Sequence, residues 1–188
     1  MLKIFLLGIL SGFPWVLIGS SLSLWLKEDG LSRSSIGWAG FIFAVYAINY
    51  LWAPIVDRVK IPFLTTMIGH RKSWIISMQF FIIICLVFWF FLKPSENFSL
   101  IVFIGLILAI CSATQDIIID ALRIEQIKHD DSSSMAAGAS IAVMGWWSGY
   151  KLGGLFILGI AHYFENLGLD NYWQITFIIT IFLIILTN

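Results

Sequence analysis

Charged residues divide this chain into long apolar intervals. Ile4 to Leu26 and Ser34 to Val56 each run 23 residues without a charge, Ser73 to Leu92 runs 20, and Asn97 to Gln115 runs 19. A helix needs about 20 mostly apolar residues to cross the hydrocarbon layer, so each interval predicts a spanning helix. The fourth continues past Asp116 and Asp120 to a basic end at Arg123. A fifth opens in the small residues after Asp131 and runs past Lys151 toward His162, and a sixth occupies Asn171 to Asn188. The pattern therefore predicts helices over 4–26, 34–56, 73–92, 97–122, 134–163 and 171–188, joined by short connections and without a separate soluble domain. The first interval is longer than the apolar core of a secretory signal and no small-residue cleavage site follows it, so it is read as a retained helix.

Composition agrees with this reading: 60% of residues are hydrophobic, 12% are charged and the mean hydropathy is +0.94. These values exclude a soluble globular domain and predict an all-α protein embedded in the lipid bilayer. A net charge of zero without a basic patch leaves no electrostatic footprint for nucleic acid. Cys85 and Cys111 lie in apolar stretches and give no disulfide framework. His70, His129 and His162 are scattered with no partner at metal-ligand spacing, so neither a metal nor a cofactor is expected. Lys3, Arg58, Lys60, Arg71, Lys72, Arg123 and Lys128 fall on one side of such a bundle, and Lys27, Arg33 and Lys93 on the other. The positive-inside rule then places the N-terminus in the cytoplasm.

Ionisable groups inside the apolar intervals are the candidate chemistry. A charge at the centre of a spanning helix costs about 2.5–3.5 kcal/mol on insertion scales, so it is retained where it lines a polar path or finds a partner. Asp116, Asp120 and Arg123 share one helix face at i, i+4 and i+7, with Gln115 and Ser112 close to it. Asp120 and Arg123 suit an interfacial ion pair, whereas Asp116 lies one turn deeper. Lys151 has 19 uncharged residues before it and 13 after it, among Gly145, Gly149, Gly153 and Gly154. It has to face other helices or water. Gly12-Phe13-Pro14 interrupts the first helix, and Asp57-Arg58 and Gly69-His70-Arg71-Lys72 bracket the connection between the second and third.

The run Ser112-Ala113-Thr114-Gln115-Asp116-Ile117-Ile118-Ile119-Asp120-Ala121, followed by Arg123 and Glu125, resembles the AmpG-type muropeptide permeases of the major facilitator superfamily. Three further stretches agree in the same order: Ser11-Gly12-Phe13-Pro14 through Trp25-Leu26, Leu51-Trp52-Ala53-Pro54-Ile55-Val56-Asp57-Arg58, and Gly149-Tyr150-Lys151-Leu152-Gly153. The resemblance implies the N-terminal six-helix half of such a transporter, a 3+3 inverted repeat in the inner membrane that imports anhydro-muropeptides with protons. It makes Asp116 and Asp120 the proton-coupling candidates, and Ser20, Asn49, Gln115 and Lys151 the substrate-cavity candidates. Asp57, Arg58, Gly69, Arg71 and Lys72 become the gating loop, with Arg123 and Glu125 at the inner end of helix four. In the family an arginine usually stands at Lys151 and a lysine at Asn49.

Transporters of this superfamily have two six-helix halves, and this chain ends within the sixth helix. The expectation is a truncated or decayed transporter, or a half that requires a complementary C-terminal six-helix half. An acetyl-CoA-type transporter of the same branch and a non-transporting interaction module are the alternatives. An intramembrane aspartic protease is disfavoured, because its two carboxylates must sit about 3 Å apart, whereas i,i+4 positions are roughly 5–6 Å apart at Cβ.

Overall fold

The computed structural model describes residues 1–126 and 132–186, so Lys128, His129, Asp131 and Asn188 lie outside the described residues. Helix one is Leu2–Glu28, helix two begins as Arg33–Leu51 and continues as Ala53–Arg58, helix three is His70–Phe90 and helix four is Pro94–Gln126. Helix five is Ser132–Asn166 and helix six is Tyr172–Leu186. Helices one to five are long and apolar enough to cross a membrane, and helix six is a shorter apolar helix. Successive helices run in opposite directions, so Met1, Arg71 and Gln126 share one end of the bundle and Glu28, Lys93 and Asp170 the other.

Helix one lies along helix five in the most extensive contact of the fold. Two glycine rows make this possible, Gly8 and Gly12 against Gly145, Gly149 and Gly153. A Cβ on Gly12 would stand 2.1 Å from the Trp146 carbonyl oxygen, and one on Gly149 would stand 2.3 Å from that of Ile9. Backbones this close gain dispersion contacts that lipid cannot match. Helices two and four also pack together, as do three and six, and one and four. The one–five and two–four pairs exchange with each other when helices one to three are swapped for four to six, as in a 3+3 repeat, whereas the extensive contact of helices three and four has no one–six counterpart of similar extent.

Helix one is broken near Gly12-Phe13-Pro14, and helix two departs from the uninterrupted rod that its charge-free interval suggests. Helix one contains Pro14 and shifts to π-helical form over Leu17–Ser21. Helix two alternates between α-helix and 3-10 turns at Gly40–Phe43 and Asn49–Leu51, and bends at Trp52 before Pro54. Proline has no N–H for the helical ladder and disfavours helical backbone in the residue before it. A short helix, Leu64–Ile68, occupies the connection to helix three, and Gly69 at φ +89° turns the chain between them.

The core between the helices is rich in aromatic side chains toward the Glu28 end. Trp25 packs on Trp89 and Phe177, and the Glu28 carboxylate accepts hydrogen bonds from Tyr172 Oη at 2.8 Å and Trp173 Nε1 at 2.7 Å. Asp29 accepts the Ser95 N–H at the start of helix four, where a negative charge suits the helix dipole.

Candidate functional site

The Pro14 break places the first polar side chain inside the bundle. Proline cannot donate to the Leu10 carbonyl, and the freed oxygen accepts the Gln115 Nε2–H at 3.0 Å from helix four. Gln115 is fully buried. It lines a cavity of about 140 Å³ with Phe13, Pro14 and Gln79, apart from Asp116. The Gln115 amide N–H is thus committed to the backbone of helix one, and its Oε1 is buried without a hydrogen bond.

Asp116, the next residue, turns the other way. Ser11 Oγ donates to Asp116 Oδ1 at 2.5 Å. The pair lines a cavity of about 220 Å³ between helices one, four and five, with Gly8, Ile119, Asp120, Arg123 and Trp146 on its walls. Asp116 lies about 15 Å along the axis from the Gln126 end of helix four. The Trp15 indole N–H interacts with this carboxylate from outside hydrogen-bond geometry. Among the described residues no cation forms an ion pair with Asp116. Arg123 Nη2 pairs instead with exposed Asp120 at 3.2 Å. The two aspartates therefore have separate partners, which is not the proton-sharing arrangement of an aspartic protease.

A wall of rings borders this cavity. Trp15 contacts Phe43 and Tyr46 of helix two at centroid distances of 5.0 and 4.3 Å, and Trp146 of helix five at 5.4 Å. Trp146 in turn stacks on Tyr150 at 5.6 Å and 12°. Tyr150 Oη lies 3.4 Å from Ser20 Oγ in the π-helical segment. Lys151 is exposed, on the face of helix five away from its glycine row, with Nζ 5.7 Å from the Trp147 ring centroid. Asn49 is half-buried at the start of the second 3-10 turn of helix two.

At the Gln126 end, Arg71 of helix three joins three helices. Its Nη1 donates to Asp57 at the end of helix two, and its Nε donates to Glu125 of helix four at 3.0 Å. His70 Nε2 lies 3.0 Å from the Val56 carbonyl oxygen and Trp74 Nε1 donates to that of Val59 at 2.9 Å, tying the same segment down. Gly69 begins helix three beside this cluster, and Arg58 and Lys72 are exposed. Trp52 Nε1 donates to Thr114 Oγ1 at 3.0 Å, fixing the bend of helix two on helix four just above.

This arrangement, six helices around a polar centre, agrees with the comparison to known proteins. Residues 4–187 match the Major Facilitator Superfamily. The chain belongs to that superfamily. Its all-helical fold is that of an N-terminal superfamily half. It is 37% identical over 177 residues to AmpG 4 of Rickettsia felis (94% of this chain, 41% of the relative) and 35% identical over 186 residues to AmpG 4 of Rickettsia conorii (98% and 43%). It is 29% identical over 169 residues to the Anhydromuropeptide permease of Escherichia coli strain K12 (90% and 32%). The likeness read from the Ser112 to Ala121 run is borne out by these relatives. The chain spans less than half the length of each of them.

Ser11, Trp15, Tyr46 and Trp146 had not been singled out as site residues from the sequence. A signal was present: Gly8, Ser11, Gly12 and Trp15 recur at i, i+3, i+4 and i+7 and mark one face of helix one. Its polar member is the donor to Asp116.

Proposed function

We propose that this chain is the N-terminal half of a secondary transporter that carries anhydro-muropeptides across the bacterial inner membrane with protons, with its N-terminus in the cytoplasm. The observation that carries the reading is Asp116, a carboxylate at bilayer depth that a serine holds and no described cation neutralises, opening on a cavity. A charge so placed is costly unless it serves a path. A carrier that exposes one cavity to each side in turn needs such a group to take a proton on one side and release it on the other. Asp120 and Arg123 stand at the mouth of the same cavity and form its entry. The sugar-peptide class comes from the relatives' likeness, above all the permease of Escherichia coli.

The remaining residues fit supporting roles. Ser20, Asn49 and Lys151 contribute to the wall that substrate meets, and Gln115 holds helix one at its proline break. Arg71, Asp57 and Glu125 form the inner gate with Arg58, Gly69 and Lys72, and Asp57 meets the complementary C-terminal half. The test is uptake of labelled anhydro-muropeptide into proteoliposomes that hold this chain co-assembled with a complementary six-helix half. Asp116→Asn should abolish accumulation driven by a pH gradient while leaving exchange of labelled for unlabelled substrate across the membrane. Undiminished gradient-driven accumulation in this variant overturns the assignment of Asp116.

A further inference from the structure

We propose that the cavity beside the Pro14 break is a binding site for a small neutral lipophilic alcohol, one ring in size, whose hydroxyl sits between the Gln79 and Gln115 amides. The site shares no lining residue with the Asp116 cavity, and the inference does not rest on the transport reading.

A pair of buried acceptors selects the hydroxyl. Gln79 and Gln115 are 5% and 0% exposed, and Oε1 of each is buried without a hydrogen bond. Gln115 cannot turn its amide over, because Nε2 is engaged by the Leu10 carbonyl that Pro14 leaves open. Its oxygen is therefore a fixed acceptor in want of a donor. Gln79 of helix three borders the same cavity, and its amide can present either the oxygen or the nitrogen. A hydroxyl matches this pair: it donates to Gln115 Oε1 and accepts from Gln79 Nε2. A lipid acyl chain has no donor and would leave both oxygens unsatisfied, a costly state in an apolar setting.

Size and lining select the ring. The remaining walls are apolar, with Ile9 and Phe13 of helix one, Ile82 of helix three, and Leu183 and Ile184 of helix six. The volume is about 140 Å³, and a cavity of about 150 Å³ with Leu, Ile and Phe walls stays dry and takes up benzene. A single water could bridge the two amides but would leave most of this space empty, and the lining would forfeit the dispersion contacts that a ring supplies. Ile9 and Leu183 are half-buried, and helices one and six pack only sparsely. A ligand dissolved in the bilayer therefore enters between these two helices without passing Asp116. Bound there, it braces helix one at its proline break against helices three, four and six.

The experiment is a fluorine NMR titration of the full chain in lipid nanodiscs with para-fluorophenol, and with fluorobenzene as a probe of similar size that lacks the donor. A saturable bound resonance is expected for para-fluorophenol, with an affinity about tenfold or more above that of fluorobenzene once partition into lipid is subtracted. Gln79→Leu should cut that preference about three- to tenfold. Leu183→Trp, which fills the cavity from its rim, should abolish the bound resonance. Gln79→Met and Leu183→Phe make the same test with milder changes where either variant fails to fold. Equal affinity for the two probes, an unchanged preference in Gln79→Leu, or a bound resonance that survives Leu183→Trp overturns the site. A cavity that holds water only gives neither probe a saturable resonance, and that result overturns it as well.

Discussion

Gln115 and Pro14 show how one residue's deficiency dictates another's identity. Pro14 leaves the Leu10 carbonyl without its helical donor, and the Gln115 amide replaces that donor across the helix interface at 3.0 Å. An unsatisfied buried carbonyl costs about 1–3 kcal/mol. Gln115→Leu should therefore lower unfolding free energy in detergent by about that amount. In a Pro14→Ala background the helix recovers its own donor, so the same substitution should cost less than half as much. A double-mutant cycle on thermal unfolding measures the coupling, and simple additivity would show that Gln115 does not serve the break. At this scale the sequence was partly readable. Asp116 stood out because a carboxylate in an apolar run is expensive, but its donor Ser11 did not. Serines are tolerated in spanning helices, where they bond the backbone one turn back, as Ser140 and Ser148 do here, and nothing local tells the two uses apart.

Between elements, the tightest joint is the glycine seam of helices one and five. Gly12 and Gly149 approach the opposing backbone so closely that any side chain has to push the helices apart. Overpacking of this kind costs about 1–3 kcal/mol even for small additions. Gly12→Leu and Gly149→Leu should each lower the melting temperature of the purified chain, while Gly159→Leu, whose Cβ would meet nothing within 4 Å, should leave it near wild type. Equal melting temperatures for all three would remove the seam as a stabilising joint. The number and order of helices followed directly from the spacing of charges, because a charge is the most expensive residue to place in lipid. The internal breaks did not follow from charge. Gly12-Phe13-Pro14 marked the break in helix one by composition, whereas the bend of helix two before Pro54, an effect on backbone geometry rather than transfer energy, went unread, so helix two read as a plain rod.

For the whole molecule, burial is uneven in a way that bears on the length difference from its relatives. In the most apolar windows of helices two and five only 17% and 22% of residues are buried, against 44% to 50% in helices one, three and four. Helix three shows bulky phenylalanines such as Phe80 and Phe88 to its surroundings, as expected of a lipid-facing helix. Helices two and five also expose large apolar side chains such as Leu51 and Met144, but helix five adds Lys151, an exposed charge that suits protein or water better than lipid. These two little-buried helices are therefore the expected seam with the complementary half, and helix five lines the Asp116 cavity. A photoreactive residue at Leu51 or Met144 should crosslink to a co-expressed C-terminal six-helix half, and one at Phe80 or Phe88 should not. Because the ring wall spans helices one, two and five, assembly would close the cavity over it and bring the second half against Lys151. Crosslinking from helix three instead would reverse the assignment of faces and leave the Asp116 cavity open to lipid, a surrounding in which an unpaired carboxylate has no use.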